Sequence, residues 1–412
     1  MLLNYIWIGF FLIAFVVALS ELIVTGDGSV FGAMTDALFA GAKTGFELSL
    51  GLAGVLALWQ GLLKVGEKSG LVGALSKITA PFFTVLFPSV PKGHPAMGTM
   101  LMNFSANLLG LDNAATPLGL RTMQELQELN KKKEEASDAM IMFLCINASG
   151  LTIIPITIIM YRLQMGSAAA SDIFLPILLA TGASTLSAIL LVAFKQKLNL
   201  FRLPFLLPMG ILMTLVGLSF WGIRNISQER LTELSTLISH VVLIGMVALL
   251  IGSGLFAQRN VYEDFIEGAK EGFGTAIKII PYLVAILVAV GLFRASGALD
   301  WITKGISYGV GTIGGMDTAW VDALPTMLMK PLSGSGARGL MIEAMQNYGP
   351  DSFVGRLVCL VQGSSDTTFY IVSLYYGSVV IKRTRYTLGV SLIADLVGMV
   401  TSVALCYLFY AG

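Results

Sequence analysis

Polar side chains occur in four groups within apolar stretches of the chain, beside residues that interrupt helices. The groups span 103–117, 147–155, 330–336 and 362–368. Their amide, hydroxyl and carboxylate groups can hydrogen-bond a polar solute, and oxygen is the ligand that hard cations such as Na⁺ prefer. We therefore predict substrate and ion binding at Asn103, Ser105, Asn107, Asn113, Thr116, Asn147, Ser149, Thr152, Ser333, Ser335, Gln362, Ser364, Ser365, Asp366 and Thr367.

Asp366 differs from the others because it is ionisable and lies inside a stretch long enough to cross a membrane. Such a side chain costs a few kcal/mol unless it is paired, protonated or hydrated. We predict that Asp366 takes up a proton or helps to ligate Na⁺ beside Ser364 and Thr367. The alternative is a structural ion pair with Lys330 or Arg338.

The remaining polar residues also have a structural alternative. Serine and glycine allow close helix packing in membranes, and asparagine can join two helices by hydrogen bonds. The groups nevertheless recur at equivalent places in the two halves of the chain, as described below, and this recurrence favours a solute pathway.

Other chemistries find no support in the sequence. It contains no nucleophile elbow, P-loop, Rossmann fingerprint or histidine cluster with metal-ligand spacing. Cys145, Cys359 and Cys406 lie in apolar runs without a paired cysteine or histidine, which is typical of buried structural residues. We expect no enzymatic activity, no metal site and no cofactor apart from a coupling Na⁺ or H⁺.

The composition identifies the elements that must position these groups. Of the 412 residues, 55% are hydrophobic and 12% are charged, and the formal net charge is +1. Ordinary soluble domains are about 25% charged, so a soluble globular protein is excluded, as is a disordered chain. A nucleic-acid binder would need a basic face, for which there is no surplus of charge. We therefore predict an all-α polytopic membrane protein.

Nine stretches are long and apolar enough to span a bilayer, which takes about 20 residues of helix. They are 3–24, 46–65, 139–163, 172–195, 203–224, 236–257, 275–293, 352–377 and 386–411. The apolar segments 95–120 and 319–345 are interrupted by polar residues and prolines, and we predict re-entrant or broken helices there. Segments 70–88 and 298–314 are predicted to lie at the membrane interface.

The chain contains an internal repeat. The sequence GAKTGF at 41–46 reappears as GAKEGF at 268–273, and TMLM at 99–102 reappears at 326–329, both at an offset of 227 residues. After an additional charged loop the offset becomes about 215, and the 147–152 group then corresponds to the 362–367 group. We predict a first repeat over 1–200, a linker transmembrane helix within 201–230, and a second repeat over 231–412.

The single linker helix reverses the orientation of the second repeat, because it adds one crossing between two halves of four crossings each. Clusters of lysine and arginine, including Lys131–Lys133 and Lys382–Arg385, then fall on one side of the membrane. This places the N-terminus in the cytoplasm and the C-terminus outside. Inverted repeats with paired broken helices are typical of secondary transporters.

Several motifs resemble a known family. The sequences GHPAMG at 93–98 and NAATPLG at 113–119, with the 147–155 stretch, are similar to bacterial spore maturation protein A. YGPDSF at 348–353 and QGSSDTT at 362–368 are similar to spore maturation protein B. The resemblance covers roughly 1–200 as the A type and 236–412 as the B type. Both types belong to the nucleoside recognition (Gate) group, which is similar to parts of concentrative nucleoside transporters and of ferrous iron transporter B.

The resemblance implies a bacterial inner-membrane protein, and in spore formers a role in core dehydration and cortex maturation, without fixing a substrate. We expect an ion-coupled secondary transporter of a small polar solute: a nucleoside, an amino acid or a peptide-like molecule. One alternative is a non-transporting scaffold for envelope enzymes, with the charged segment 124–138, predicted to be a solvated helix, as its docking site. A channel is a third. The resemblance also suggests a homodimer.

Overall fold

The computed structural model describes residues 2–91, 93–109, 112–150, 152–153, 155–211, 214, 217, 228–314 and 317–410, with side chains at 2–4, 112–114, 228–229, 231–232 and 310–314 outside the description. The described chain is helical, and the one extended pairing in it is a single bridge between Glu135 and Arg383. This agrees with the all-α class that the composition predicted.

The first half contains eight helices. They are α1 (Leu2–Thr25), α2 (Ser29–Lys68), α3 (Leu71–Leu86), α4 (Pro95–Leu108), α5 (Asp112–Leu129), α6 (Asp138–Ser149), α7 (Ile156–Gln164) and α8 (Phe174–Gln196). Helix α9 follows over 203–211, and residues 214 and 217 are also helical. The rest of the predicted span 203–224 lies outside the described residues.

The second half contains eight further α-helices and a short 3₁₀ helix, Ala319–Ala323. The α-helices are α10 (Gln228–Phe256), α11 (Val261–Ala295), α12 (Ala298–Gly314), α13 (Leu324–Met329), α14 (Gly334–Tyr348), α15 (Phe353–Gly363), α16 (Thr368–Ser378) and α17 (Thr387–Tyr410). Helices α1–α8 therefore correspond in order to α10–α17. The serines that cap α6 and α15, Ser137 and Ser352, occupy equivalent positions, and each accepts an N–H from three residues further on.

Six of these helices, α1, α2, α8, α10, α11 and α17, are long and apolar enough to cross a membrane. Many large apolar side chains on them face outward, among them Val24, which is 82% exposed, and Phe194, which is 81% exposed. Lipid tails solvate such side chains well and water does not. The protein is therefore a multi-pass membrane protein.

Two of the nine predicted spans are divided rather than continuous. The span 139–163 consists of α6 and α7 with a break at 150–155, and the span 352–377 consists of α15 and α16 with a break at 364–367. The breaks coincide with two of the polar groups. Their residues leave backbone groups without helical partners, and such groups are tolerated at membrane depth only where they meet protein or line a cavity.

Helices α2 and α11 pack against each other along their length and run antiparallel. A Cβ atom on Gly41 would lie 3.0 Å from the carbonyl oxygen of Leu287, and a Cβ on Gly268 would collide with the carbonyl of Gln60. Adding the repeat offset of 227 to Gly41 gives Gly268, and subtracting it from Leu287 gives Gln60. The repeat therefore exchanges these two contacts. An approximate twofold axis perpendicular to both helices therefore relates the two repeat motifs.

The half-helices α6 and α15 occupy the interior. Residues Met140–Cys145 of α6 and Leu357–Val361 of α15 are completely buried. Their burial on every face distinguishes them from the amphipathic surface helices. The ends of both half-helices, and therefore both breaks, are held inside the molecule.

Candidate solute-binding site

The two helix breaks contact each other. Helix α6 is terminated by Gly150, which has a left-handed backbone with φ of +62°. The backbone N–H of Asp366, in the other break, donates to the carbonyl of Ala148 over 2.8 Å. A Cβ atom on Gly150 would lie 2.8 Å from the Asp366 nitrogen, so glycine is required for this approach as well as for the positive φ. The breaks of the two halves thus form one site.

A cavity of about 380 Å³ opens at this contact. Its volume is within the range of about 300–1,000 Å³ that is common for small-molecule sites. Both halves contribute to its lining, and seven of the residues predicted from the sequence are among those that line it: Asn107, Thr116, Asn147, Thr152, Gln362, Ser365 and Asp366.

Two amides connect the first half to this cavity. Asn107 Nδ2, on α4, donates to Asn147 Oδ1 over 2.9 Å, and Asn147 Nδ2 donates to the carbonyl of Phe143 over 2.9 Å. The pair fixes the end of α4 against the end of α6. It therefore has both roles that the sequence allowed, because it joins helices and also faces the cavity.

The second half contributes polar atoms without protein partners. Gln362 Oε1 and Ser365 Oγ are buried and have no hydrogen-bond partner among the described residues. A buried polar atom left in this state costs about 1–3 kcal/mol. Both residues line the cavity, but these two atoms are themselves buried, so a bound molecule would reach them only if the side chains turned toward it.

Asp366 faces the cavity and is exposed to it. Its Oδ1 accepts the N–H of Thr367 over 2.6 Å, at the start of α16. No ion pair joins Asp366 to Lys330 or Arg338 in the described part of the chain. The structural ion pair considered from the sequence is therefore not formed.

Lys330 and Arg338 instead line the cavity themselves. The Lys330 ammonium is buried and donates to the carbonyl of Gln362 over 2.7 Å. The Arg338 guanidinium lies 5.9 Å from the centre of the Tyr161 ring. From the sequence, both cations were expected only as structural partners of Asp366. A usable signal was present for Lys330, because the offset of 227 residues aligns it with Asn103, a predicted site residue.

Half-helix ends add to the electrostatics. The N-terminal turn of α7 lines the cavity through Pro155, Ile156, Thr157 and Ile158. The positive end of a helix dipole and the unpaired N–H groups of its first turn favour negative charge. At the other break, the carbonyl of Gln362 near the end of α15 accepts a hydrogen bond from Lys330.

Seven predicted site residues lie outside the lining of the cavity and have local structural contacts or none. Asn103 Nδ2 donates to the Ala115 carbonyl over 2.7 Å and joins α4 to α5. Ser333 caps α14, and Ser335 contacts Ser333. The hydroxyls of Ser149 and Ser364 donate to carbonyls three residues earlier. Thr367 is the N-cap residue of α16, and the Ser105 hydroxyl is buried without a hydrogen-bond partner in the part of the chain that the structure describes. The side chain of Asn113 lies outside the described residues.

Behind the second break, a buried carboxylate holds α16 against α17. Thr368 Oγ1 donates to Asp395 Oδ2 over 2.7 Å, and Asp395 is 1% exposed. On the other side, the Thr181 hydroxyl of α8 donates to the carbonyls of Ser149 and Gly150 over 3.3 and 3.2 Å. Helix α8 thus secures the first break through the end of α6, and helix α17 secures the second through the start of α16.

A family model for nucleoside recognition, named Gate, matches residues 49–164 and 276–382, more than half of the chain. The chain belongs to the Gate family. Spore maturation protein A of Bacillus subtilis is 40% identical over 190 residues, which cover 46% of this chain and 93% of that protein. Spore maturation protein B of the same organism is 42% identical over 159 residues, covering 39% of this chain and 87% of that protein. No solved structure matches.

These matches confirm the resemblance inferred from the motifs, and they are consistent with a fusion of the two relatives. The two segments matched by the Gate model also coincide with the site. Each contains one helix break, and together they contain every residue that lines the cavity except Ile177. The part of the Gate protein that defines its family is therefore the part that surrounds the cavity.

Proposed function

We propose that this Gate protein is an ion-coupled secondary transporter of a small polar solute in the bacterial inner membrane. It acts without enzymatic activity and without a bound cofactor. The observation that carries the proposal is the polar cavity at the contact between two discontinuous helices, one from each half. Secondary transporters bind their substrates at such half-helix ends near the centre of the membrane.

Alternating access would follow from the approximate twofold relation of the repeat motifs. If one half rocks against the other about the contact between Asp366 and Ala148, the cavity opens to one side of the membrane and then to the other. The family description, nucleoside recognition, makes nucleosides a candidate substrate class, beside amino acids and peptide-like molecules.

Asp366 is the proposed coupling residue. Its carboxylate is exposed to the cavity, forms no described ion pair, and lies at a helix break where backbone carbonyls are close. A carboxylate in this position can bind H⁺ or Na⁺ when the cavity is open to one side, and it can release the ion on the other.

Transport by purified protein in liposomes tests the proposal. A panel of nucleosides, amino acids and dipeptides should include a solute whose uptake depends on a Na⁺ or H⁺ gradient. Asp366→Asn should abolish that dependence. The matched control is Glu47→Gln on α2, because Glu47 is 62% exposed and lies outside the cavity lining. Gradient-independent uptake by the wild type, or unchanged coupling in Asp366→Asn, would contradict the proposal.

In the scaffold alternative, the charged segment 124–138 is the docking site for envelope enzymes. Helix α5 ends at Leu129, so the predicted solvated helix covers only part of this segment. Beyond it, Glu134 pairs with Lys382 and Asp138 with Arg385, each over 2.7 Å. These contacts pair part of the charge of the segment within the chain, and a scaffold would make no use of the cavity, so transport is the function that we retain. A homodimer stays a prediction.

A further inference from the structure

The cavity contains more positive than negative side chains. Lys330, Arg338 and Asp366 all line it. The Lys330 ammonium is held by a neutral carbonyl, and the described contact of Arg338 is the Tyr161 ring. Within the described chain no carboxylate forms an ion pair with either cation. Two cations therefore line the cavity with one carboxylate, and a second carboxylate, Asp395, is buried behind the break.

Arginine in this setting is suited to a particular ligand chemistry. Its planar guanidinium presents several N–H donors in a fork that matches an oxyanion, and such charge-assisted bonds are about twice as strong as neutral ones. A cation–π contact places the guanidinium beside the Tyr161 ring, 5.9 Å from its centre. The first turn of α7 lines the same cavity and adds the positive end of a helix dipole.

We infer that the cavity binds its solute through a carboxylate group, which Arg338 receives with help from Lys330 and the first turn of α7. The inference rests on the proposed solute-binding function of this cavity. A neutral nucleoside would leave the guanidinium without a partner, and a dianionic phosphate would add two negative charges near Asp366 and the buried Asp395. Amino acids and short peptides are therefore placed ahead of nucleosides.

Binding of matched pairs to the purified full-length chain tests this. The probes are alanine with alaninamide, and alanylalanine with its C-terminal amide, together with uridine and uridine monophosphate. Binding is measured by calorimetry and by the shift in melting temperature. At least one acid should bind about 10-fold or more tightly than its amide, since a charge-assisted fork is lost with the carboxylate.

Variants at Arg338 assign the preference to this side chain. Arg338→Gln should remove the preference for acid over amide, and Arg338→Lys should keep part of it, because the charge remains but the fork is lost. Arg121→Gln is the matched control, since Arg121 is 68% exposed and lies outside the cavity lining. Melting of the free variants establishes folding, and Arg338→Lys carries the test if Arg338→Gln does not fold.

Three outcomes overturn the inference: amides that bind as tightly as acids, tighter binding of uridine or its monophosphate, or no binding by either acid. A preference that persists unchanged in Arg338→Gln overturns it as well. Failure here is distinguishable from failure of the transport proposal. Gradient-driven uptake of an uncharged solute would support the transport proposal and contradict carboxylate recognition. Binding of an acid that is not transported into liposomes would support carboxylate recognition and contradict transport.

Discussion

Arg162 shows how a single charged residue joins the two halves. Its side chain is completely buried, and its guanidinium pairs with Asp172 over 3.0 Å and with Asp351 over 2.8 Å. Burial raises the pKa of Asp351, but hydrogen bonds from Ser167 and the Ala168 N–H and the charge of Arg162 outweigh it, so this pKa lies below its ordinary value. The Arg162–Asp351 pair is therefore ionised at neutral pH. Its contribution to the stability of the fold is lost only in acid, as the pH falls through the lowered pKa of Asp351.

Replacing Arg162 should strongly destabilise the protein. Arg162→Met leaves the buried Asp172 with Arg356 as its remaining ion-pair partner in the described chain, and breaking a buried ion pair in this way costs about 3–5 kcal/mol. Arg121→Met is the matched control, and it should cost at most about 1 kcal/mol because the Arg121 side chain that pairs with Glu125 is 68% exposed. The measurement is the unfolding transition in detergent at neutral pH. Equal transitions for the two variants would show that the cluster around Arg162 does not stabilise the fold.

At the scale of elements, the close packing of α2 and α11 depends on glycines. A Cβ on Gly272 would lie 2.7 Å from the carbonyl carbon of Leu56, whereas a Cβ on Gly274, two residues further along α11, meets no atom within 4 Å. Gly272→Ala should therefore cost about 1–3 kcal/mol through overpacking. Gly274→Ala should be neutral or slightly stabilising, since alanine favours helix. Melting of both variants decides this, and a Gly272→Ala protein as stable as Gly274→Ala would reject the packing argument.

The repeat and the breaks were predictable because each leaves a local pattern. The GAKTGF and GAKEGF motifs gave the offset that the α2–α11 contacts obey, and the Asn147 and Asp366 groups marked the two interruptions. The repeat offset marked Lys330 as a site position, but the contacts of Lys330, Arg338 and Arg162 were not predictable in the same way. Their environments depend on residues far away in the chain, such as Gln362, Tyr161 and Asp351, and a single sequence contains no signal for those pairings. The predicted domain boundaries at 200 and 231 stay predictions.

For the whole molecule, the antiparallel arrangement makes a prediction about membrane sidedness. Lys68, at the end of α2, pairs with Asp264, in the first turn of α11, over 3.0 Å. The loop before α2 and the loop before α11 therefore lie at opposite ends of these two helices. Since both helices are long enough to cross a membrane, the two loops should be on opposite sides.

Cysteine labelling measures this directly, because Cys145, Cys359 and Cys406 are buried and should give little background. Asp27→Cys and Ala257→Cys place exposed thiols in the two loops. The distribution of lysine and arginine puts the loop before α11 in the cytoplasm. A membrane-impermeant maleimide should therefore label Asp27→Cys in intact spheroplasts, and it should label Ala257→Cys only after permeabilisation, with the unsubstituted chain as the control. The reverse pattern would keep the inverted repeats and reverse only the predicted orientation. Labelling of both positions from one side would place the halves the same way up and remove the basis for alternating access.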